Sequence, residues 1–320
     1  MKEPAVRPEV FAAYWHVATE RQRMFEHRVA GLPGPATEDP ILAANRFCNS
    51  FRASDRVTQD LIREAYIDGI NDEDRFVRVV LHRLFSRPTT FRLIERELGR
   101  IDAESFDEHR YGDVLDRAMA DGQRLYTGAF ILCANNAFGH RRKHRNHLAL
   151  VAAMLAGEVP GRIAQAGSFQ DVYDELIGWP LVGPFMAYQI AIDLNYTTLI
   201  DFSEDDFTVP GPGAIRGLAK VFVDTNGLTA QEAIHWLVDY QDVVEATTGV
   251  APPTLFGRRL HAIDCQNLLC EVDKYARVAF PELVSNRSRI KQRYTPDPEP
   301  LELFYPPKWS IDAAALALAA

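Results

Sequence analysis

Three adjacent carboxylates, Glu204, Asp205 and Asp206, precede the segment Phe207-Thr208-Val209-Pro210-Gly211-Pro212-Gly213, after which Ile215, Leu218, Val221 and Phe222 continue at helical spacing. An ionised carboxylate at such a helix entry can stabilise positive charge that develops on a substrate and can orient a water. It can equally serve as a plain helix cap. Three neighbouring carboxylates repel one another, so at least one is expected to face solvent or to carry a raised pKa. Asp206, then Asp205, is favoured for chemistry, with Glu204 behind them.

Two further features could meet a polyanion. In Trp179-Pro180-Leu181-Val182-Gly183-Pro184-Phe185-Met186-Ala187 an incoming helix, 169–177, turns around Gly183 and leaves through a helix whose Ala187, Ile190, Ala191 and Leu194 share a face. Backbone N–H groups around Val182, Gly183 and Phe185 would then point at a phosphate without reading sequence. The second feature is His140-Arg141-Arg142-Lys143-His144-Arg145, which puts four fixed positive charges into six residues, with Asn135, Asn136 and His147 nearby. Arg141, Arg142, Lys143 and Arg145 are the expected phosphate contacts, and an ordinary solvated helix start is the plain alternative.

The elements that must hold these groups read as helix after helix. Phe76, Val79, Val80, Leu84 and Phe85 keep helical spacing, as do Leu148, Leu150, Val151, Met154 and Leu155, and strand-like alternation is nowhere sustained. Breaks fall at Gly31–Pro35, Gly157–Gly161 and Pro210–Gly213, and a Pro-rich tail spans about 296–320. Asp39-Pro40 followed by Ile41, Leu42, Ala44, Phe47 and Cys48 suits an Asp cap with proline in the first turn. A helix continuing from there would carry a polar face of Arg46, Asn49, Arg52 and Arg56, with Asn45 and Asp55 beside it; a solvated, salt-bridged face is the plain alternative. Glu271, Asp264 and Asn267 fall on one side of a late helix, where a structural polar network is expected.

Composition bounds the function classes. At 320 residues and 47% hydrophobic content the chain can bury a full core as one two-lobed domain. A net charge of -9 is the wrong sign for a protein that coats nucleic acid, so DNA contact must come from local basic surface. The cysteines Cys48, Cys133, Cys265 and Cys270 have no C-x2-C spacing, so free buried thiols are expected and no metal or iron–sulfur cluster. No stretch is long and apolar enough to span a membrane, and the first residues lack the order of a signal peptide, so a cytoplasmic protein without membrane contact is expected.

The 179–187 hairpin resembles the L-P-G-V-G-x-x-x-A hairpin of base-excision DNA glycosylases, with Leu181 at the first glycine and Trp179 at the leading leucine. That resemblance implies an all-α, helix-hairpin-helix glycosylase-like fold over residues 1–320, with a hairpin at about 169–194. Two helical lobes would flank a cleft lined by the hairpin and the 201–206 segment. In that superfamily a catalytic aspartate lies some sixteen residues beyond the hairpin alanine, which brings Asp201 and Glu204–Asp206 into the window. Enzymes that also nick the strand carry a lysine where this chain has Phe185. The resemblance therefore implies a monofunctional enzyme that leaves abasic sites.

More of the chain is similar to the family of 5-hydroxymethyluracil DNA kinase helical domains and alpha-glutamyl/putrescinyl thymine pyrophosphorylases. The matching blocks are Asp39-Pro40-Ile41-Leu42, Phe47-Cys48-Asn49 with Arg52, Asp55-Arg56-Val57, Tyr126-Thr127-Gly128-Ala129, Gly183 to Tyr188, Pro210 to Ala214, and Cys270-Glu271 with Asp273-Lys274-Tyr275. The resemblance implies action on modified pyrimidines of phage DNA. It places Asn49 and Arg52 on a helix beside the base, Tyr126 and Thr127 on a second wall, and Phe185 near them. The expected function is a monomeric DNA glycosylase, a hydrolase that flips and excises a hypermodified pyrimidine from phage DNA in anti-phage defence and needs no cofactor. The alternatives are an enzyme of thymine hypermodification, acting by a pyrophosphorylase-type step on 5-hydroxymethyluracil-derived DNA, and a non-enzymatic DNA-binding adaptor. No phosphate-cradling G-x-x-x-x-G-K-[ST] loop is present, which argues against kinase activity in this chain itself.

Overall fold

The computed structural model describes residues 3–32, 36–128, 136–283, 287, 289–295 and 301–311. Cys133, Asn135, Ala129 and most of the Pro-rich tail lie outside them. Among the described residues the chain runs β1 (Ala5–Val6), α1 (Pro8–Val29), α2 (Pro40–Ala44), α3 (Arg56–Glu64), α4 (Asp72–Phe85), α5 (Pro88–Leu98), α6 (Glu108–Ala120) and α7 (Lys143–Ala156). It continues through α8 (Val159–Ala164), α9 (Phe169–Ile177), α10 (Pro184–Asn195), α11 (Pro212–Val221), β2 (Phe222–Asp224), α12 (Ala230–Tyr240), α13 (Val244–Thr248) and α14 (Ala262–Ala279). Single 3-10 turns stand at Arg52–Ser54 and Pro307–Trp309. The chain is mostly helical, as its spacing implies. The two strands form one short antiparallel pair, with Ala5 opposite Asp224 and Val6 opposite Phe222.

The helices belong to two compact units. The first comprises Met1–Asp55, Phe207–Leu303 and Ile311–Ala320, and the second Arg56–Asp206 and Phe304–Ser310. In the first, α1 buries Val10, Tyr14, Trp15, Val17 and Ala18 and packs on α14, which buries Ile263, Leu268, Leu269 and Val272. The closest approach in this unit is between α11 and α14. A Cβ on Gly217 would lie 2.2 Å from the Leu269 carbonyl oxygen, and one on Gly213 2.6 Å from Cys270 Sγ. Only residues without a side chain fit that face of α11.

In the second unit α10 is buried on every side from Met186 to Asn195 and packs on α9 and α4. The face Ala187, Ile190, Ala191 and Leu194 is fully buried. Asp193 on α10 pairs with Arg83 on α4 through both carboxylate oxygens, with Arg83 Nη2 3.0 Å from Oδ1; the carboxylate is wholly buried. The proline-rich segment is not a loose tail in its described part. Phe304 N donates to Gln59 Oε1 (2.6 Å), and Lys308 Nζ donates to Ile200 O (3.0 Å) and Asp201 (2.8 Å), all within this unit.

Local chemistry explains the boundaries, and in one place corrects the expected helix. Ser168 caps α9 by accepting from Asp171 N, so that helix runs over 169–177 as its spacing implies. Asp39 caps α2, accepting from Ile41 N and Leu42 N with Pro40 in the first turn. However, α2 stops at Ala44 instead of continuing past Arg46, Asn49 and Arg52. Asn45 leaves the helical region at ψ 154°, and its side-chain amide donates to Ile41 O (2.8 Å). The following backbone pairs elsewhere, with Arg46 N donating to Gln292 O (3.0 Å) and Tyr294 N to Ala44 O (3.2 Å). These long-range bonds outweigh the helical periodicity, leaving Asn49 in a segment that is neither helix nor strand and Arg52 in a 3-10 turn. Gly161, expected in a break, lies inside α8.

Candidate functional site

The richest polar constellation is in the first unit, where the irregular stretch 46–49 is clamped from two helices. From α1, Arg21 Nε donates to Cys48 O (3.0 Å) and Nη2 to Asn49 Oδ1 (2.9 Å). From α14, Glu271 Oε2 accepts from Cys48 N (3.0 Å) and from Lys274 Nζ (2.7 Å), and the same ammonium donates to Arg46 O (3.0 Å). Asn49 closes the loop onto its own chain. Its Nδ2 donates to Ser54 O (2.7 Å), and its backbone N–H donates to Asp55 Oδ1 (2.9 Å). Arg52 is buried, and its backbone N–H donates to Asp264 Oδ1 (2.8 Å).

These neighbours set the charges. Burial first, with the like charge of Glu271, pushes Asp55 up to about 6 against the Asn49 N–H and the guanidinium groups of Arg21 and Arg52. Burial also raises Asp264, although Arg52 N–H and His261 N–H both donate to it. The like charge of Glu271 raises the Cys48 thiol. A carboxyl poised near neutrality, half-buried and fixed by a backbone donor, is the kind of group that binds or moves a proton. Elsewhere in this unit, Asp39 Oδ2 accepts from Tyr275 (2.8 Å) and lies 2.9 Å from His16 Nε2, and this carboxylate lines a cavity of about 530 Å³ with Glu20 and Arg23.

In the second unit the turn between α9 and α10 is tight. Leu181, at the first glycine of the hairpin pattern, takes the left-handed φ of 71° that glycine would adopt without strain. Val182 is buried, Gly183 is the N-cap of α10, and Phe185 is exposed in its first turn. Gly183 is extended (φ -80°), and a Cβ there would meet nothing within 4 Å. No internal packing therefore calls for glycine at this exposed position.

The basic segment is less free than its sequence implies. Asp116 on α6 accepts from Arg142 (2.8 Å), His144 (2.6 Å) and Arg145 (2.6 Å), and Asp113 also accepts from Arg145 (2.6 Å). Lys143 lies 4.2 Å over the Tyr126 ring, whose hydroxyl is 3.1 Å from His147 Nδ1. Burial, then the charges of Lys143 and His144, push His147 down to about 3, so its ring is neutral at pH 7. Thr127 N donates to Phe85 O (3.4 Å). Of the carboxylate run, Glu204 is buried, Asp205 half-buried and Asp206 exposed, so the favoured aspartate is the one that faces solvent. Asn49 and Arg52 thus fall in the first unit, and Tyr126, Thr127, Phe185 and Glu204–Asp206 in the second. Cys48 is exposed, unlike the buried thiol expected, while Cys265 is buried and Cys270 half-buried.

A family profile described as "5-hmdU DNA kinase, helical domain" matches residues 8–285. The chain belongs to this family. A curated relative, a 5-hmdU DNA kinase of Bacillus phage SP10, is 24% identical over 262 residues, covering 74% of this chain and 40% of that protein. The chain therefore spans about two-fifths of that relative's length, and no solved structure matches it. Membership in the 5-hmdU DNA kinase helical-domain family corrects the expectation of a DNA glycosylase. The relative is named for a transferase, and base excision, with its base flipping, hydrolase chemistry, abasic sites and defence role, gives way to the thymine-modification alternative. With it goes the glycosidic-bond chemistry in which Asp206, Asp205 and Glu204 are the expected carboxylates.

Sequence reasoning places Asn49 and Arg52 beside the base and Glu271 in a separate structural network, and gives Asp55 and Arg21 no part in a site. The available signal is that 39–42, 47–49 with 52, 55–57 and 270–275 are all family-like blocks, the last of them more than 200 residues from the others.

Proposed function

We propose that this chain is the DNA-side component of a thymine-modification activity, one that engages DNA carrying 5-hydroxymethyluracil and presents its 5-hydroxymethyl group for phosphate-level chemistry. What supports the reading is family membership over 8–285, together with the gathering of distant family-like blocks into the Asn49–Asp55–Glu271 cluster. Because the chain spans 40% of the kinase it resembles, the proposal stops at the DNA-binding side of the reaction. The turn at Val182–Phe185 is proposed to hold a backbone phosphate, for which the open space over Gly183 leaves room. Matched duplexes with 5-hydroxymethyluracil or thymine at the same positions test this directly. Tighter binding of the modified duplex is expected, with every base still attached to its sugar by mass spectrometry of digested DNA; equal affinities or released free base would overturn the reading.

The basic segment gives a second expected outcome. Arg142 and Arg145 are already neutralised by Asp113 and Asp116, so they release few counterions on binding DNA. Alanine at Arg141 and Lys143 together should lower the slope of log affinity against log salt by about 1–2. Alanine at Arg142 and Arg145 should leave that slope nearly unchanged. Salt titrations of the two double variants check this, and equal slopes for both would show that the Asp113 and Asp116 pairings do not persist on DNA.

A further inference from the structure

The cations at 142 and 145 are neutralised by Asp116 and Asp113, and the exposed Arg23, Arg96, Arg162 and Arg259 are each paired with a carboxylate as well. The chain after α14 is different. Between Glu282 and Asp297 the sequence has no acidic residue and places a cation at every second position from Arg287 to Arg293. Arg289, Lys291 and Arg293 are all exposed, and among the described residues no carboxylate pairs with any of them.

The backbone of this run is fixed at three points. Arg46 N donates to Gln292 O (3.0 Å), Tyr294 N donates to Ala44 O (3.2 Å), and Arg277 Nη1 from α14 reaches Arg289 O (3.4 Å). Ile290 packs against the cluster of Met24, Leu42 and Phe47, which leaves Arg289 and Lys291 exposed on either side of it. The neighbouring helices add little negative charge. Asp273 is shared by Arg216, Lys220 and Arg277, and Glu271 is matched by Lys274. Arg46, also exposed and without a carboxylate partner, adjoins the run and opens the 46–49 stretch that leads to Asn49. In a chain of net charge -9, unpaired cations gathered on one surface create a local positive potential, and their fixed backbone lowers the ordering cost of binding a polyanion.

From this geometry we infer that Arg289, Lys291 and Arg293, with Arg46 beside them, form a docking surface for the sugar–phosphate backbone of DNA, next to the stretch that carries Asn49. It rests on the proposed function above and adds a surface of the first unit along which the strand runs. Guanidinium and ammonium groups on one short run present donors to successive phosphate oxygens, contacts that position a strand without reading its sequence. The run lies just beyond residues 8–285, outside the span that the family profile matches.

The test compares salt titrations on one duplex for the natural chain, for Arg289→Ala/Lys291→Ala/Arg293→Ala, and for a comparator that removes three paired cations, Arg96→Ala/Arg162→Ala/Arg259→Ala. The two variants have the same net charge. The first is expected to lower the slope of log affinity against log salt by about 2–3, since each phosphate contact on a duplex contributes about 0.9, and the comparator should leave it nearly unchanged. Lys291→Ala alone should lower it by about 1, which decides the matter if the triple variant does not fold. The ratio of affinities for 5-hydroxymethyluracil and thymine duplexes should be unaltered throughout, because both present the same phosphates. A slope unchanged on removing these cations, or one that falls equally in the comparator, would overturn the inference and leave the proposed function standing. A natural chain that binds the two duplexes equally would overturn the proposed function, whatever the slopes.

Discussion

Gly217→Ala is expected to destabilise the first unit by about 3 kcal/mol, among the largest effects of any single methyl group in this chain. The added carbon would sit 2.2 Å from the Leu269 carbonyl oxygen and 2.7 Å from its carbonyl carbon. Those are backbone atoms of α14, so no rotamer change can make room and the two helices must separate. Such a shift also reaches the site, because α14 carries Asp264, Glu271 and Lys274. Gly213→Ala meets a side chain, Cys270 Sγ at 2.6 Å, which can rotate, so a smaller loss of about 1 kcal/mol is expected there. Denaturant midpoints for the two variants check the ordering; a Gly217→Ala protein as stable as the parent would mean that α11 and α14 do not pack this closely.

The second large effect is expected from Arg83→Met, at about 3–5 kcal/mol. Asp193 is wholly buried, and losing the two-pronged guanidinium leaves its charge in a poorly solvating interior. The pair itself adds less than that figure implies, because both ions surrender their hydration when α4 packs on α10. A double variant, Arg83→Met with Asp193→Leu, should therefore recover most of the loss. Equilibrium unfolding of both variants gives the comparison. A single variant that loses under about 1 kcal/mol, or a double variant no better than the single, would show that the pair is not the pin between these helices.

Much of the fold is legible before any coordinates. The helical class follows from periodicity, the α9 boundaries from Ser168 and the apolar spacing, and the start of α2 from Asp39-Pro40. What fails to show are features whose partners are remote in sequence. The stop after Ala44 is decided by pairing with residues 292–294, which nothing near Asn45 announces. The cations at 142 and 145 look free in the sequence because Asp113 and Asp116 lie on another helix, 26–32 residues away. Asp55 reads as one more charge on a polar face. Its poise comes from burial and from Glu271, opposed by the Asn49 N–H, and no spacing rule connects residue 55 to residue 271. Leu181 shows the converse: the turn between α9 and α10 takes a left-handed φ of 71° at a residue other than glycine.

The segmental make-up of the two units has a consequence for synthesis. The second unit is one unbroken run, Arg56–Asp206, apart from the short strap Phe304–Ser310, so most of it can fold while the remainder is still being translated. The first unit cannot. Its α1 and the clamped 46–49 stretch must wait for α14, which at ordinary translation rates emerges about ten to forty seconds later. Until then Tyr14 has no α14 and Phe11 no α12 to cover it, and bringing the ends together across the intervening run carries a closure entropy on the order of 4 kcal/mol. The exposure to aggregation during synthesis is thus concentrated in residues 1–55, and the site around Asp55 is assembled only when α14 has left the ribosome.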